Sequence, residues 1–237
     1  MNNLDKLAYL RQKYYRDSKN QFSVYLNTFY DGLSLFIDAS DLLVETEKVS
    51  NHHTVEGASK TAAWRFISTL PTSLFWCCEI SLSGDYAIAK NILRLTLEEF
   101  VKLAYYVTFP EKALRQVAHG SEKDEVDLNN MLKEMDFEHR KNLMRLHGEL
   151  SIYYSHANYN LPQELIFQES GKRPQIGGGP HYSSDLFEPI IQQLIIIIAN
   201  SIKYMVNRFP YLLENETWLK RFEGFVTNAD NILPDEK

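Results

Sequence analysis

Apolar residues recur along most of this chain at intervals of three and four, the spacing that places them on one side of an α-helix. Phe22, Leu26, Phe29, Leu33, Phe36 and Ile37 mark one such run within 20–48, after a shorter and more polar run over 3–17. A third run covers 54–80, where Pro71 removes a backbone amide and predicts a kink or a division. Gly84 and Asp85 mark a stop and a fresh start. The run over 85–109 carries two stripes, one of Ile88, Ile92, Leu95, Leu103 and Tyr106 and one of Ala89, Leu93, Leu97, Phe100 and Ala104. A helix apolar nearly all round belongs at the centre of a bundle. Short helices are predicted over 111–119 and, acidic and exposed, over 121–136. A stronger one follows over 137–155, with Leu143, Leu146, Leu150 and Tyr153 on one side.

The pattern then breaks. Pro162, Gly171, Pro174, Gly177, Gly178, Gly179 and Pro180 crowd the stretch 158–184, and short apolar runs at 165–167 and 175–176 flank Gly171. A small β-hairpin or an ordered loop fits this insertion. Helical spacing resumes over 185–209 and again over 216–232. Isoleucines 195–198 are β-branched, but the length of the surrounding run and its lack of breakers favour helix. The fold class expected is all-α, a multi-helix bundle forming a single domain over 1–237, with an irregular loop or small hairpin inserted at about 158–184.

Composition narrows the function classes. An apolar fraction of 44% and a charged fraction of 24% over 237 residues suit a folded chain with a sizeable core. The formal net charge of −6 lacks the basic surplus of a protein that coats nucleic acid. Cys77 and Cys78 are the only cysteines; neighbours in an apolar run, they read as small buried hydrophobes in a reducing compartment. The most apolar stretch, 189–206, is interrupted by Gln192, Gln193, Asn200, Ser201 and Lys203, so it reads as a core helix and not a membrane span. A cytoplasmic protein with no membrane association is expected.

Four constellations are candidates for chemistry. Arg94 and Glu98, one turn apart on the central helix near Tyr105, predict a polar network that fixes helix register. Arg140, His147, Ser151 and Tyr154 fall on one narrow stripe of the 137–155 helix, as residues lining a groove or a dimer contact would. His156, just beyond, lies where a helix C-terminus favours a cation. The Gly177-Gly178-Gly179 loop lacks the lysine and hydroxyl of a phosphate cradle and reads as a turn. His52, His53 and Glu56 are close in sequence but match no metal-ligand spacing; no metal or cofactor is expected.

Two of these segments carry a resemblance. The run Ala89–Phe100, with Arg94 and Glu98 in an L-R-x-x-x-E pattern, resembles a helix of a broad group of uncharacterised bacterial helical proteins. Leu150, Ser151 and His156 resemble that group's second signature, an L-S…H helix end, although the spacing here is one residue longer. The group is similar in architecture to HEPN-type helical bundles, some of which are metal-independent ribonucleases working as dimers through an Arg-x(4–6)-His motif. Arg140 and His147 fit that spacing, with Lys141 where a different polar residue commonly follows the arginine. The resemblance implies a bacterial stress or anti-phage setting. It leaves two function classes: a helical interaction protein that forms a homodimer or binds a protein partner, and a ribonuclease acting on RNA through Arg140 and His147.

Overall fold

A chain poor in glycine and regularly amphipathic satisfies its backbone amides most simply as helices that turn one side inward. The computed structural model describes residues 3–46, 54–119, 127–135, 140–154, 166–167, 175–176 and 183–233, and its architecture is an all-α, multi-helix bundle. The helices are α1 (Asn3–Gln21), α2 (Ser23–Thr46), α3 (Val55–Leu82), α4 (Tyr86–Thr108), α5 (Pro110–His119), α6 (Leu128–Glu134), α7 (Arg140–Tyr154), α8 (Ser184–Arg208) and α9 (Glu216–Ile232), with a 3-10 turn at Pro210–Glu214. Two-residue strands β1 (Ile166–Phe167) and β2 (Gln175–Ile176) pair antiparallel, Ile166 opposite Ile176. They join the two apolar runs on either side of Gly171. The rest of the expected insertion, with the Gly177-Gly178-Gly179 loop, lies outside the described residues.

The α3–α4 hairpin is the spine of the molecule. Thr54 caps α3 by accepting a hydrogen bond from the Gly57 amide at 3.1 Å. At its other end the Asp85 amide reaches back to the Ile80 carbonyl, and Gly84 takes φ 83°, a left-handed turn that suits a residue without Cβ. α4 then packs against α3, α5, α6, α7 and α8, the central position expected of it.

Phe66 of α3 ties the layers together. Its ring lies 5.8 Å from Phe36 of α2, 5.9 Å from Phe100 of α4 and 5.8 Å from Tyr204 of α8. Isoleucines 195, 197 and 198 of α8 are fully buried in the same core. Among the described residues α8 alone is long and apolar enough to cross a membrane by length and composition, and much of it is spent on this core. Cys77 and Cys78 are buried and free; Cys77 donates its thiol to the Ala89 carbonyl. Burial pushes the Cys77 thiol up to about 12 and raises the Cys78 thiol well above its ordinary value.

Three expectations are corrected. Pro71 does not divide its helix: α3 is helical from Val55 to Leu82. The carbonyl that Pro71 leaves without an amide is that of Ile67, and the Ser40 hydroxyl of α2 reaches it at 3.4 Å. The acidic, exposed helix placed over 121–136 is interrupted at Asp127, the N-cap of α6, and α6 buries Leu128, Met131 and Leu132; residues 120–126 and 136 lie outside the described residues. Finally, α4 is not buried all round. Ala89, Leu93, Leu97, Phe100 and Ala104 fill the core, whereas Ile88 and Leu95 of the other stripe are 53% and 59% exposed.

Candidate functional site

The long-range packing of α7 against α4 brings the two candidate motifs together. Leu143, Leu146 and Leu150 of α7 are buried, which turns His147 and Ser151 toward the α4 edge that carries Arg94 and Glu98. Arg94 Nε donates to Glu98 Oε1 at 2.9 Å, and His147 Nε2 lies 3.1 Å from the same oxygen. Ser151 Oγ stands 3.5 Å from that nitrogen. The side chains of Arg94, Glu98 and His147 are each between a fifth and a quarter exposed, so the cluster sits at the rim of the bundle and not in its centre.

The chemistry of this cluster follows from proton counting. Burial alone would raise the Glu98 pKa. The hydrogen bonds and charges of Arg94 and His147 outweigh it and hold the carboxyl below its ordinary range. An ionised carboxylate only accepts, so the His147 nitrogen facing it carries a proton. Ser151 meets that same protonated nitrogen and therefore cannot pass its own proton to it. A serine–histidine–carboxylate relay needs the serine and the acid on opposite ring nitrogens, and this arrangement puts both on one. The nitrogen left to act as base in neutral His147 is Nδ1.

Tyr105, expected near Arg94 and Glu98, belongs to another cluster. Its ring is fully buried and its hydroxyl donates to Glu134 at 2.7 Å, with the Lys112 ammonium on both partners. That triad pins α4 to α5 and α6. Arg140 begins α7, two turns before His147, but its side chain, the side chain of Tyr154 and all of His156 lie outside the described residues.

A second feature adjoins the cluster. A groove of about 370 Å³ runs between α3, α4 and α5, and Glu98 lies on its wall with Glu99, Arg65 and Lys102. The Thr69 hydroxyl of α3 shares its single proton between the Arg65 carbonyl at 2.7 Å and Glu99 at 2.8 Å. Sequence reasoning missed Glu99 and Arg65 as groove residues, because the signal that joins them is the antiparallel register of α3 and α4. Among the described residues no group of three His, Cys, Asp or Glu side chains stands at metal-ligand distances. No family model, no curated protein and no solved structure matches this chain.

Proposed function

We propose that this chain is a helical interaction protein that joins other protein chains, a second copy of itself first of all, through the outer face of the α3–α4 hairpin. The observation that carries this reading is the exposure of large apolar side chains on the two helices whose inner sides fill the core. Trp64 and Trp76 of α3 are 49% and 55% exposed, and Ile88 and Leu95 of α4 are 53% and 59% exposed. Trp64 and Phe75 stand eleven residues apart, about 20° on the helical wheel, and the Phe75 ring meets that of Trp76 at 5.6 Å. Trp76 likewise shares a stripe with Arg65, which borders the same groove as Leu95. Contiguous exposed apolar surface marks interaction sites, and tryptophan is the residue most enriched at their energetic centres.

Sedimentation of the purified protein over a range of concentrations tests the reading. Association is expected in the wild type, with Trp76→Glu and Leu95→Glu monomeric at unchanged helix content. A wild type that stays monomeric at every concentration would remove self-association.

A ribonuclease is the second reading, favoured by one observation: Glu98 fixes the proton of His147 on Nε2 and leaves Nδ1 as the base. In that reading Nδ1 takes the proton of a ribose 2′-hydroxyl, and Arg140 balances the charge that builds on the phosphate. Against it stand two carboxylates, Glu98 and Glu99, beside the place a phosphate would occupy. Incubation with total RNA in EDTA separates the readings. Cleavage that persists in EDTA and disappears in both Arg140→Ala and His147→Ala supports the nuclease; intact RNA leaves the interaction protein.

A further inference from the structure

The first helix is longer than the surface it packs on. Leu4, Leu7, Arg11, Tyr14 and Ser18 recur at intervals of three and four and so share one side of α1. That side meets the bundle through its second half: Arg11 pairs with Asp85 in the α3–α4 turn, Tyr15 packs against the core and Ser18 is fully buried. Residues 4–9 are exposed, Leu4 at 76% and Leu7 at 39%. Two exposed turns gain little from their own hydrogen bonds, and their leucines gain by a surface to lie on.

A groove of matching chemistry lies on the α2 flank of α3. It holds about 390 Å³ and is walled by Leu33, Ile37, Ile67, Pro71 and Phe75, with Asp41 as its one charged residue. Among the described residues the Asp41 carboxylate has no hydrogen-bond or ion-pair partner, since the nearby Arg221 is held by Asp38 and Ser34. The Lys6 ammonium of α1 has none among them either. Lys6 borders the leucine row, about 40° from Leu10 on the helical wheel. On α1 Lys6, Arg11, Lys13, Arg16 and Lys19 outnumber Asp5 and Asp17, in a chain whose net charge is −6. A basic arm on an acidic body finds its complement on a second copy of that body, whereas an anionic membrane repels the body.

We propose that residues 3–10 of one copy dock in the α2–α3 groove of a second copy, with Leu4 and Leu7 over Ile37, Pro71 and Phe75 and the Lys6 ammonium at Asp41. The docking rests on the self-association reading and names the segment that reaches across. Phe75 lines the groove and shares the exposed stripe of Trp64, so groove and outer face are continuous. An amphipathic helix end laid in a hydrophobic groove by anchors three and four residues apart is a general mode of recognition. Two copies that exchange arms close as a dimer, and a one-way contact leaves the next groove open to a third.

Mixing the Leu7→Cys and Ile37→Cys variants of the full chain under mild oxidation tests the docking, because Cys77 and Cys78 are buried and both new thiols stand at exposed positions. The mixed disulfide is expected to form faster than either homodimer. Adding Lys6→Glu to the first variant or Asp41→Lys to the second should slow it roughly two- to fivefold, and the two reversals together should restore it, as one surface ion pair allows. Equal rates for mixed and homodimeric products, or charge reversals without effect, overturn the proposal. Flotation of the wild type on phosphatidylserine vesicles, lost in Leu4→Glu/Leu7→Glu and with no mixed disulfide formed, would give the arm to a membrane. Sedimentation judges the self-association reading separately. A wild type that associates without the mixed disulfide loses only the arm, and a mixed disulfide undisturbed by Trp76→Glu and Leu95→Glu loses only the outer face.

Discussion

Gly32 lies inside α2, and a Cβ built there would sit 2.4 Å from Phe225 Cε2 and 2.9 Å from Ile198 Cγ2. Both contacts are too short to survive, and both neighbours are buried aromatic or branched side chains with nowhere to go. Two effects oppose each other in Gly32→Ala. Better helix propensity favours alanine by about 1 kcal/mol, and overpacking a closed contact costs about 1–3 kcal/mol. Because α8 and α9 both press on this point, the steric cost wins, and a net loss of up to roughly 2 kcal/mol is expected in urea unfolding. An alanine variant as stable as the wild type would mean that α9 shifts freely on α2. A lone glycine inside a long helical run often marks a close approach. What approaches it could not be read, since Phe225 lies far away in sequence. The same limit applies to His147, whose partner Glu98 belongs to a helix 49 residues earlier.

At the scale of elements, periodicity located the helices well, because the rule that places apolar residues every three or four positions is local. It failed where a second helix decides the outcome. Pro71 is the clearest case, since the division that was one of the two outcomes expected from its missing amide does not occur, and the Ser40 hydroxyl of α2 shares its single proton between Phe36 of its own helix at 2.7 Å and the Ile67 carbonyl at 3.4 Å. This coupling is measurable. Ser40→Ala is expected to cost about 1 kcal/mol in the wild type, where it leaves a buried carbonyl without a donor. In a Pro71→Ala background residue 71 regains its amide and bonds Ile67 within the helix, so the same change should cost less. A double-mutant cycle with a coupling of about 0.5–1 kcal/mol is expected; additive single effects would show that Ser40 does not serve the proline. The exposed stripe of α4 failed for a related reason. Ile88 and Leu95 look like core residues by hydrophobicity, and nothing local separates a face that packs on its own chain from one left exposed.

For the molecule as a whole, the polar clusters set the pH limits within which the bundle is most stable. Glu98 faces Arg94 and Glu99 on its own helix, His147 on α7, and Arg65 and Lys102 along the groove, and its pKa is held below the ordinary carboxylate range. A group with a lowered folded pKa adds stability that is complete above its unfolded value and is lost as pH falls through the folded one. Glu134, lowered by Lys112 and Tyr105, acts in the same direction on the other flank of α4. At the alkaline end the signs reverse. Cys77, Cys78 and Tyr204 are raised by burial, and Lys112 by Glu134 and Tyr105, so their contributions are complete below the unfolded values and fade as pH climbs. A plateau between the two limbs follows. Glu98→Gln keeps the shape of the side chain but removes its charge and its titration. The variant is expected to be less stable than the wild type at neutral pH, by roughly 1–2 kcal/mol given the partial exposure of the cluster. On acidification from about pH 5 to about pH 3 its urea midpoint should fall less steeply, and the two curves should converge. Glu134 contributes to the slope that remains. An equally steep fall in the variant would mean that Arg94 and His147 do not stabilise the Glu98 carboxylate, and that α7 is held to α4 by its leucines alone.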